Sequence, residues 1–194
     1  IAELLDVSRE TINQFQEYLV LLERWQPRIN LVSKSTLAHA WQRHILDSAQ
    51  LVAFYPLNTK HILDVGSGAG FPGLVLAIMG GVQVDLVESD QRKAVFLSTV
   101  IRLLGLPAKV HNQRIETMPN MFPDVITARA VAPVPKLLKI CENNINKDTV
   151  CLFLKGSSVQ DELTNLQTYS NMIITTHQSL SSPDGVVLEM TNKC

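Results

Sequence analysis

Apolar residues recur at three- and four-residue steps over the first quarter of the chain, and in alternating or unbroken short runs afterwards. Ile12, Phe15, Leu19 and Leu22 line one face of a helix that Ser8 can cap and Pro27 closes, because the residue before a proline avoids the helical region. A short extended piece is predicted from Ile29 to Val32. A second helix begins near Ser35 or Thr36, carries Leu37, Trp41, Ile45, Leu51 and Val52, and ends before Pro56. Two helices without a strand cannot bury both apolar faces. Residues 1–56 therefore read as a helical extension packed on a single compact unit, 57–194.

From His61 the period changes. HILDV, VQVDLVE, AKVHNQ, DVITARA and TVCLFLKG are short, β-branched runs. The segments PGLVLAIMG, RKAVFLSTVIRLLG and KLLKICENNI lie between them at helical length, and a shorter connection near Met118 to Pro123 precedes DVITARA. Alternating strand and helix predicts an α/β fold, a mainly parallel sheet with helices on both faces. The last stretch, MIITTHQSLSS then PDGVVLEMT, has no helix between its strands and predicts an antiparallel hairpin at the C-terminal edge.

Composition narrows the functions available. The 194 residues carry 17 Lys+Arg against 18 Asp+Glu, so a strongly basic RNA-coating protein and a polyacidic disordered chain are both excluded. A hydrophobic share of 46% excludes intrinsic disorder, and no apolar run reaches the roughly 18 residues of a membrane span. The slight basic excess sits in residues 57–155. The start, IAELLDVSRE, shows no signal-peptide pattern, and a first residue of Ile points to a lost initiator. Cys141, Cys151 and Cys194 have no CxxC spacing; they read as two half-buried apolar residues and a tail thiol, in a reducing cytoplasm and without a metal.

The most informative segment is DVGSGAGFPG, residues 64–73, directly after a strand and opening a helix. Gly66, Gly68 and Gly70 permit a tight turn and close approach of a ligand, and Pro72 suits the first helical turn. A dinucleotide fingerprint would need Gly or Ala where Phe71 stands, which disfavours a nicotinamide oxidoreductase. Glu88 ends the second strand, where a carboxylate can accept from two ribose hydroxyls. A glycine loop without a phosphate-binding Lys, followed by such an acid, is the pattern of S-adenosylmethionine binding in class I methyltransferases. An ordinary tight turn and a solvated strand end are the plainer readings of the two features.

DVGSGAGFPG, RHILDS (Arg43 to Ser48) and Asn30-Leu31 together resemble the bacterial 16S ribosomal RNA guanine-N7 methyltransferases, the RsmG or GidB type. QRIE (Arg114 to Glu116), ARA around Arg129 and LKG at Lys155 continue the match in order, over roughly residues 5–165. The resemblance implies a class I methyltransferase with an N-terminal helical extension, using S-adenosylmethionine on 16S rRNA, the small subunit or an assembly intermediate. It implies that Gly66 and Phe71 lie along the cofactor, that Ile115 and Glu116 frame its adenine, and that Arg129 sits at the cofactor pocket. Residue by residue, Ile115 offers an apolar face for a purine or is plain core, and Arg129 is either a crevice residue or a surface partner of Asp124 or Glu116. The family usually places a basic residue before its last apolar strand, and SSPDGVVLEM has none.

Guanine N7 exposes an in-plane lone pair, so no general base is required and catalysis rests on alignment in a site with little water. Arg114, Lys155, Arg43 and His44 are the substrate-side candidates: an Arg fork suits O6 or a phosphate, and Lys acts as a point charge. His44, Asp47 and Ser48 share a helical face and read as a polar tie between the extension and the sheet, or as part of the substrate entrance. Asn30 is expected to satisfy backbone near the glycine loop. A class I methyltransferase with a protein or small-molecule acceptor, and a non-catalytic ribosome-assembly factor that keeps the pocket, fit the same motifs. The chain is expected to act as a monomer.

Overall fold

The computed structural model describes residues 6–164 and 172–193; Cys194 lies outside the described residues. Five parallel strands are β1 (His61–Val65), β2 (Gln83–Val87), β3 (Ala108–His111), β4 (Val125–Arg129) and β5 (Val150–Lys155). An antiparallel hairpin, β6 (Met172–Gln178) and β7 (Val186–Asn192), joins through β7 to β5. The order is β3-β2-β1-β4-β5-β7-β6, as the periodicity predicts for a sheet with a C-terminal edge hairpin. The chain runs outward from β1 to β3, then returns to the other side of β1 at β4. The carboxyl ends of β1 and β4 thus flank the crevice where open α/β sheets bind ligands.

Helix α1 (Arg9–Trp25) starts where expected: the Ser8 hydroxyl accepts the Thr11 N–H at 3.1 Å. Its buried residues Phe15, Tyr18, Leu19 and Leu22 join a core with Ile62, Val84, Leu86 and Leu152 of the sheet. The stretch Ile29 to Val32 lies outside any helix or strand; the Gln26 side chain accepts the N–H groups of Leu31 and Val32 and donates to the Val32 carbonyl, satisfying backbone that a neighbouring strand would otherwise meet. The second helix, expected as one run to Pro56, is not continuous. It is a short turn, α2 (Lys34–Leu37), then a π-helical stretch Trp41–Leu46, then α3 (Asp47–Ala49) and a 3-10 end at Gln50–Phe54. The wide turn offsets the faces before and after it, and π turns of this kind concentrate at functional sites.

Helices α4 (Gly73–Met79) and α5 (Gln91–Leu104) cover the same face of the sheet as α1, and α6 (Val134–Cys141) covers the other. A last helix, α7 (Val159–Thr164), follows β5. α4 lies unusually close to the sheet. A Cβ on Gly73 would collide with Leu86 and come within 2.7 Å of Asp64 Oδ2, so Gly73 provides the close helix–strand approach that Phe71 denies to a dinucleotide pattern. Cys141 and Cys151 are free and buried; burial pushes the Cys141 thiol up to about 12.

Candidate functional site

The glycine turn after β1 is held from both sides. Ser67 donates its hydroxyl to the Asp64 carbonyl at 3.0 Å, and the Ser67 N–H reaches the Val87 carbonyl of β2 at 3.0 Å. Tyr18, buried in α1, donates its hydroxyl to the Ala69 carbonyl at 2.5 Å. Asp64 is fully buried; its Oδ1 accepts from Thr127 on the adjacent strand at 2.8 Å. Burial pushes this carboxyl up to about 6, with the Ser67 and Thr127 hydroxyls opposing the shift. Sequence reasoning passed over Thr127 and Tyr18, and took Asp64 only as the acid that opens the glycine motif. Asp64 at least carried a signal: an acid inside an otherwise apolar strand.

Glu88 is turned onto this same backbone. Its Oε2 accepts the Gly68 N–H at 2.8 Å and its Oε1 the Asp90 N–H at 2.7 Å. Each oxygen keeps a second lone pair, so the carboxylate shapes the loop first and has limited capacity for a ribose.

Two cavities flank the loop that joins β4 to α6. The smaller, about 180 Å³, is lined by Val65, Gly66, Val87, Ser89, Ile115 and Glu116, with Arg114, Val131 and Lys136 at its margin. Gly66 has φ +66, and a Cβ there would stand 2.6 Å from a Val131 methyl, so only glycine fits beneath that loop. The larger cavity, about 760 Å³, is lined by Arg43, His44, Asp47, Arg129, Lys155 and Gly156, and by Ser181 and Asp184 of the β6–β7 connection.

The larger wall is a set of committed charges. Arg129 pairs with Asp47 Oδ2 at 3.3 Å, donates to the Arg43 carbonyl at 3.0 Å, and lies 4.9 Å over the Phe71 ring. His44 stacks on the same ring at 4.7 Å, and its Nε2 meets the Thr36 hydroxyl at 3.1 Å. Burial, with the Arg129 charge second, pushes His44 down to about 3, so it is a neutral ring at working pH. Asp47 also accepts from Ser181 at 2.5 Å, and Gln50 donates to Ser179 at 3.0 Å. These bonds tie the extension to the β6–β7 hairpin. Ser48 turns back to the His44 carbonyl at 2.6 Å, so His44, Asp47 and Ser48 have separate partners.

The family model described as rRNA small subunit methyltransferase G (GidB) matches residues 11–186. A ribosomal RNA small subunit methyltransferase G from Rhodospirillum rubrum is 47% identical over 184 residues, covering 95% of this chain and 92% of its own length. The chain belongs to this family. A protein of the same name from Rhodospirillum centenum is 45% identical, covering 95% of this chain and 86% of its own. The crystal structure of a SAM dependent methyltransferase from Aquifex aeolicus superposes with a TM-score of 0.62 at 15% identity, over 78% of this chain and 92% of that one. That likeness gives the fold: this is a class I methyltransferase sheet.

The residues that the family resemblance marks are spread over the two cavities and the packing between them. Gly66, Ile115 and Glu116 do meet on one cavity, but Arg114, expected on the substrate side, lies with them. Arg129 faces the larger cavity with Arg43, His44 and Lys155, and its carboxylate partner is Asp47 rather than Asp124 or Glu116. Asp124 instead accepts the N–H groups of Lys60 and His61. Phe71 is buried as the platform under Arg129 and His44, lining neither cavity. Gly68 and Gly70 shape the turn from beneath. Asn30 is exposed and accepts from the Gln26 side chain at 3.4 Å, where a bond to backbone was expected. Among the described residues no group of three or more His, Cys, Asp or Glu is placed to hold a metal, and no helix is long and apolar enough to cross a membrane.

Proposed function

We propose that this chain transfers the methyl group of S-adenosylmethionine to N7 of one guanine in 16S ribosomal RNA. The observation that carries the reading is the family match, which runs over nearly the whole chain at up to 47% identity. The cavity chemistry fits the cofactor. Val65, Val87 and Ile115 offer apolar surface to an adenine, Glu116 and Ser89 offer polar groups at its edge, and Gly66 leaves room where any Cβ would collide. Glu88, with one lone pair left on each oxygen, stands at the end of β2 for the ribose.

When bound, S-adenosylmethionine supplies an electrophilic methyl group on a sulfonium. The protein's residues have to align the acceptor and keep water out, because guanine N7 needs no proton removed before attack. The larger cavity is suited to that task. His44 is neutral, Arg129 and Asp47 neutralise one another, and none of the three is poised to move a proton. Arg43 and Arg114, both exposed at the cavity margins, are the cations placed to meet O6 or nearby phosphates. Few such contacts, on a chain of net charge −1, give a shallow salt dependence and weak binding to random RNA. The protein works as a cytoplasmic monomer on the rRNA, the small subunit or an assembly intermediate, and its two buried free thiols suit a reducing compartment.

The test supplies methyl-labelled cofactor with naked 16S rRNA, small subunits and assembly intermediates, then maps label by strand scission at N7-methylated guanines. Label at a single guanine is expected. Tight cofactor binding with no transfer to any form of the rRNA would contradict the reading.

A further inference from the structure

Lys155 looks, from the sequence, like a cation waiting for RNA. In the fold its ammonium is already used. Lys155 Nζ lies 2.7 Å from Glu162 Oε2 and donates to the Ala132 carbonyl at 2.9 Å. The same Glu162 oxygen accepts the Val134 N–H at 2.8 Å. The two side chains are only 11% and 18% exposed. A phosphate reaching Lys155 would have to displace Glu162 from a short, largely buried contact.

What the pair holds is the loop between β4 and α6. Val134 is the first residue of α6, and Pro133 before it offers no side-chain cap. Glu162 supplies that cap from α7, with its negative charge at the positive end of the helix. Four residues before Val134, Ala130 holds φ +55, a left-handed conformation that strains a residue with a Cβ and persists only where its surroundings enforce it. Between these points, Val131 rests on Gly66, closer than any Cβ at that position would allow. β5, α7 and the loop thus converge to fix one thing: how Val131 and Ala132 lie along the small cavity.

We infer that Lys155 and Glu162 form a latch that positions the β4–α6 loop over the glycine turn, so that Lys155 serves cofactor binding through Ala132 and does not touch RNA. The inference rests on the reading of the small cavity as the cofactor site. Lys155 and Glu162 are therefore positioning residues, acting through the backbone of Ala132 and Val134.

The test is a double-mutant cycle in cofactor affinity, read by calorimetry with S-adenosylmethionine on the full chain. Lys155→Met keeps the packing of the stem, and Glu162→Ala removes both the charge and the cap. Each should weaken binding by about tenfold, and the double variant by little more than either alone, because the pair acts as a unit. Glu162→Gln retains an acceptor for the Val134 N–H and should recover part of the loss. In the cofactor-free protein, the Val134 amide should exchange faster in Lys155→Met, although that residue does not bond to it. With cofactor saturating, the salt dependence of rRNA binding should match wild type, whereas loss of a phosphate contact would lower the slope by about one.

Wild-type cofactor affinity and wild-type Val134 exchange in Lys155→Met would overturn the latch. So would independent, multiplicative effects of the two substitutions. A wild-type protein that binds no S-adenosylmethionine would bring down the cofactor reading and the inference with it, which separates that failure from the failure of the latch alone.

Discussion

The two cavities beside the β4–α6 loop are built from opposite uses of charge. Around the smaller one, buried acids are spent within the protein: Glu88 accepts the backbone N–H groups of Gly68 and Asp90, and Asp64 accepts the Thr127 hydroxyl. The surface left to a ligand is apolar, with Glu116 and Arg114 at its edge. Around the larger one, cations are spent on anions: Arg129 on Asp47 and Lys155 on Glu162. A pocket rich in Arg and Lys is thus poor in free positive charge, and Arg43 is the arginine left exposed on it. The difference teaches that a residue's charge and its availability are separate facts. The first is written in the sequence, and the second is set by the partner that the fold supplies.

The largest effect expected from breaking this contrast is at Arg129. Replacing it with Ala leaves Asp47 largely buried without its cation and uncovers the Phe71 ring, which should cost about 3 kcal/mol in chemical denaturation. A loss below ~1 kcal/mol would mean that the larger wall is not held by pairing. On the other wall, Asp64 is the sharper probe. Its folded pKa of about 6 lies above the unfolded value of 3.8, so the native state binds the extra proton and this residue's contribution falls as pH rises from about 4 to 7. At 1.36 kcal/mol per pKa unit the fall is at most ~3 kcal/mol. His44, held down at about 3, acts in the opposite sense across the same window. The difference between wild type and Asp64→Asn therefore isolates the carboxyl: the variant's stability should gain on wild type as pH rises from 4 to 7. A constant difference would show that Asp64 ionises freely.

A smaller effect is expected at Gly66. Gly66→Ala faces both the left-handed backbone and the Val131 methyl, so cofactor affinity should drop by about thirtyfold, roughly 2 kcal/mol, with a lesser loss of melting temperature. Unchanged affinity would remove the glycine turn from the site. The smallest effect is at Arg43. Arg43→Ala should leave stability and cofactor affinity unaltered and reduce the salt slope of rRNA binding by about one. Weakened cofactor binding in that variant would blur the division between the walls.

Much of the fold was legible because its signals are local. β-branched runs, the glycine turn and the Ser8 cap each act within a few residues, and the strands and principal helices lie where those patterns put them. The extension was harder. A π-helical stretch has nearly the apolar spacing of a regular helix, and the Gln26 side chain imitates a strand partner in a way that no periodicity reports. Within the site, Gly66, Ile115 and Glu116 could be read from motif order, and they do share one cavity. The partners of Arg129 and His44 could not be read, since Asp47 and Phe71 are distant in sequence, and Glu162, although near Lys155 in the chain, lies on a separate helix. Phe71, which the resemblance puts along the cofactor, packs against Tyr18 at 5.2 Å, a partner that its place after the glycines does not reveal.

The division between the walls is tested most directly by a crystal structure with S-adenosylhomocysteine, the product form of the cofactor. The expected result is the adenine against Ile115, Val65 and Val87 with Glu116 at its edge, the chain of the ligand passing over Gly66, and the Lys155–Glu162 contact intact. Adenine in the larger cavity beside Arg43 and Ser157, with nothing bound at the Ile115 wall, would contradict the account.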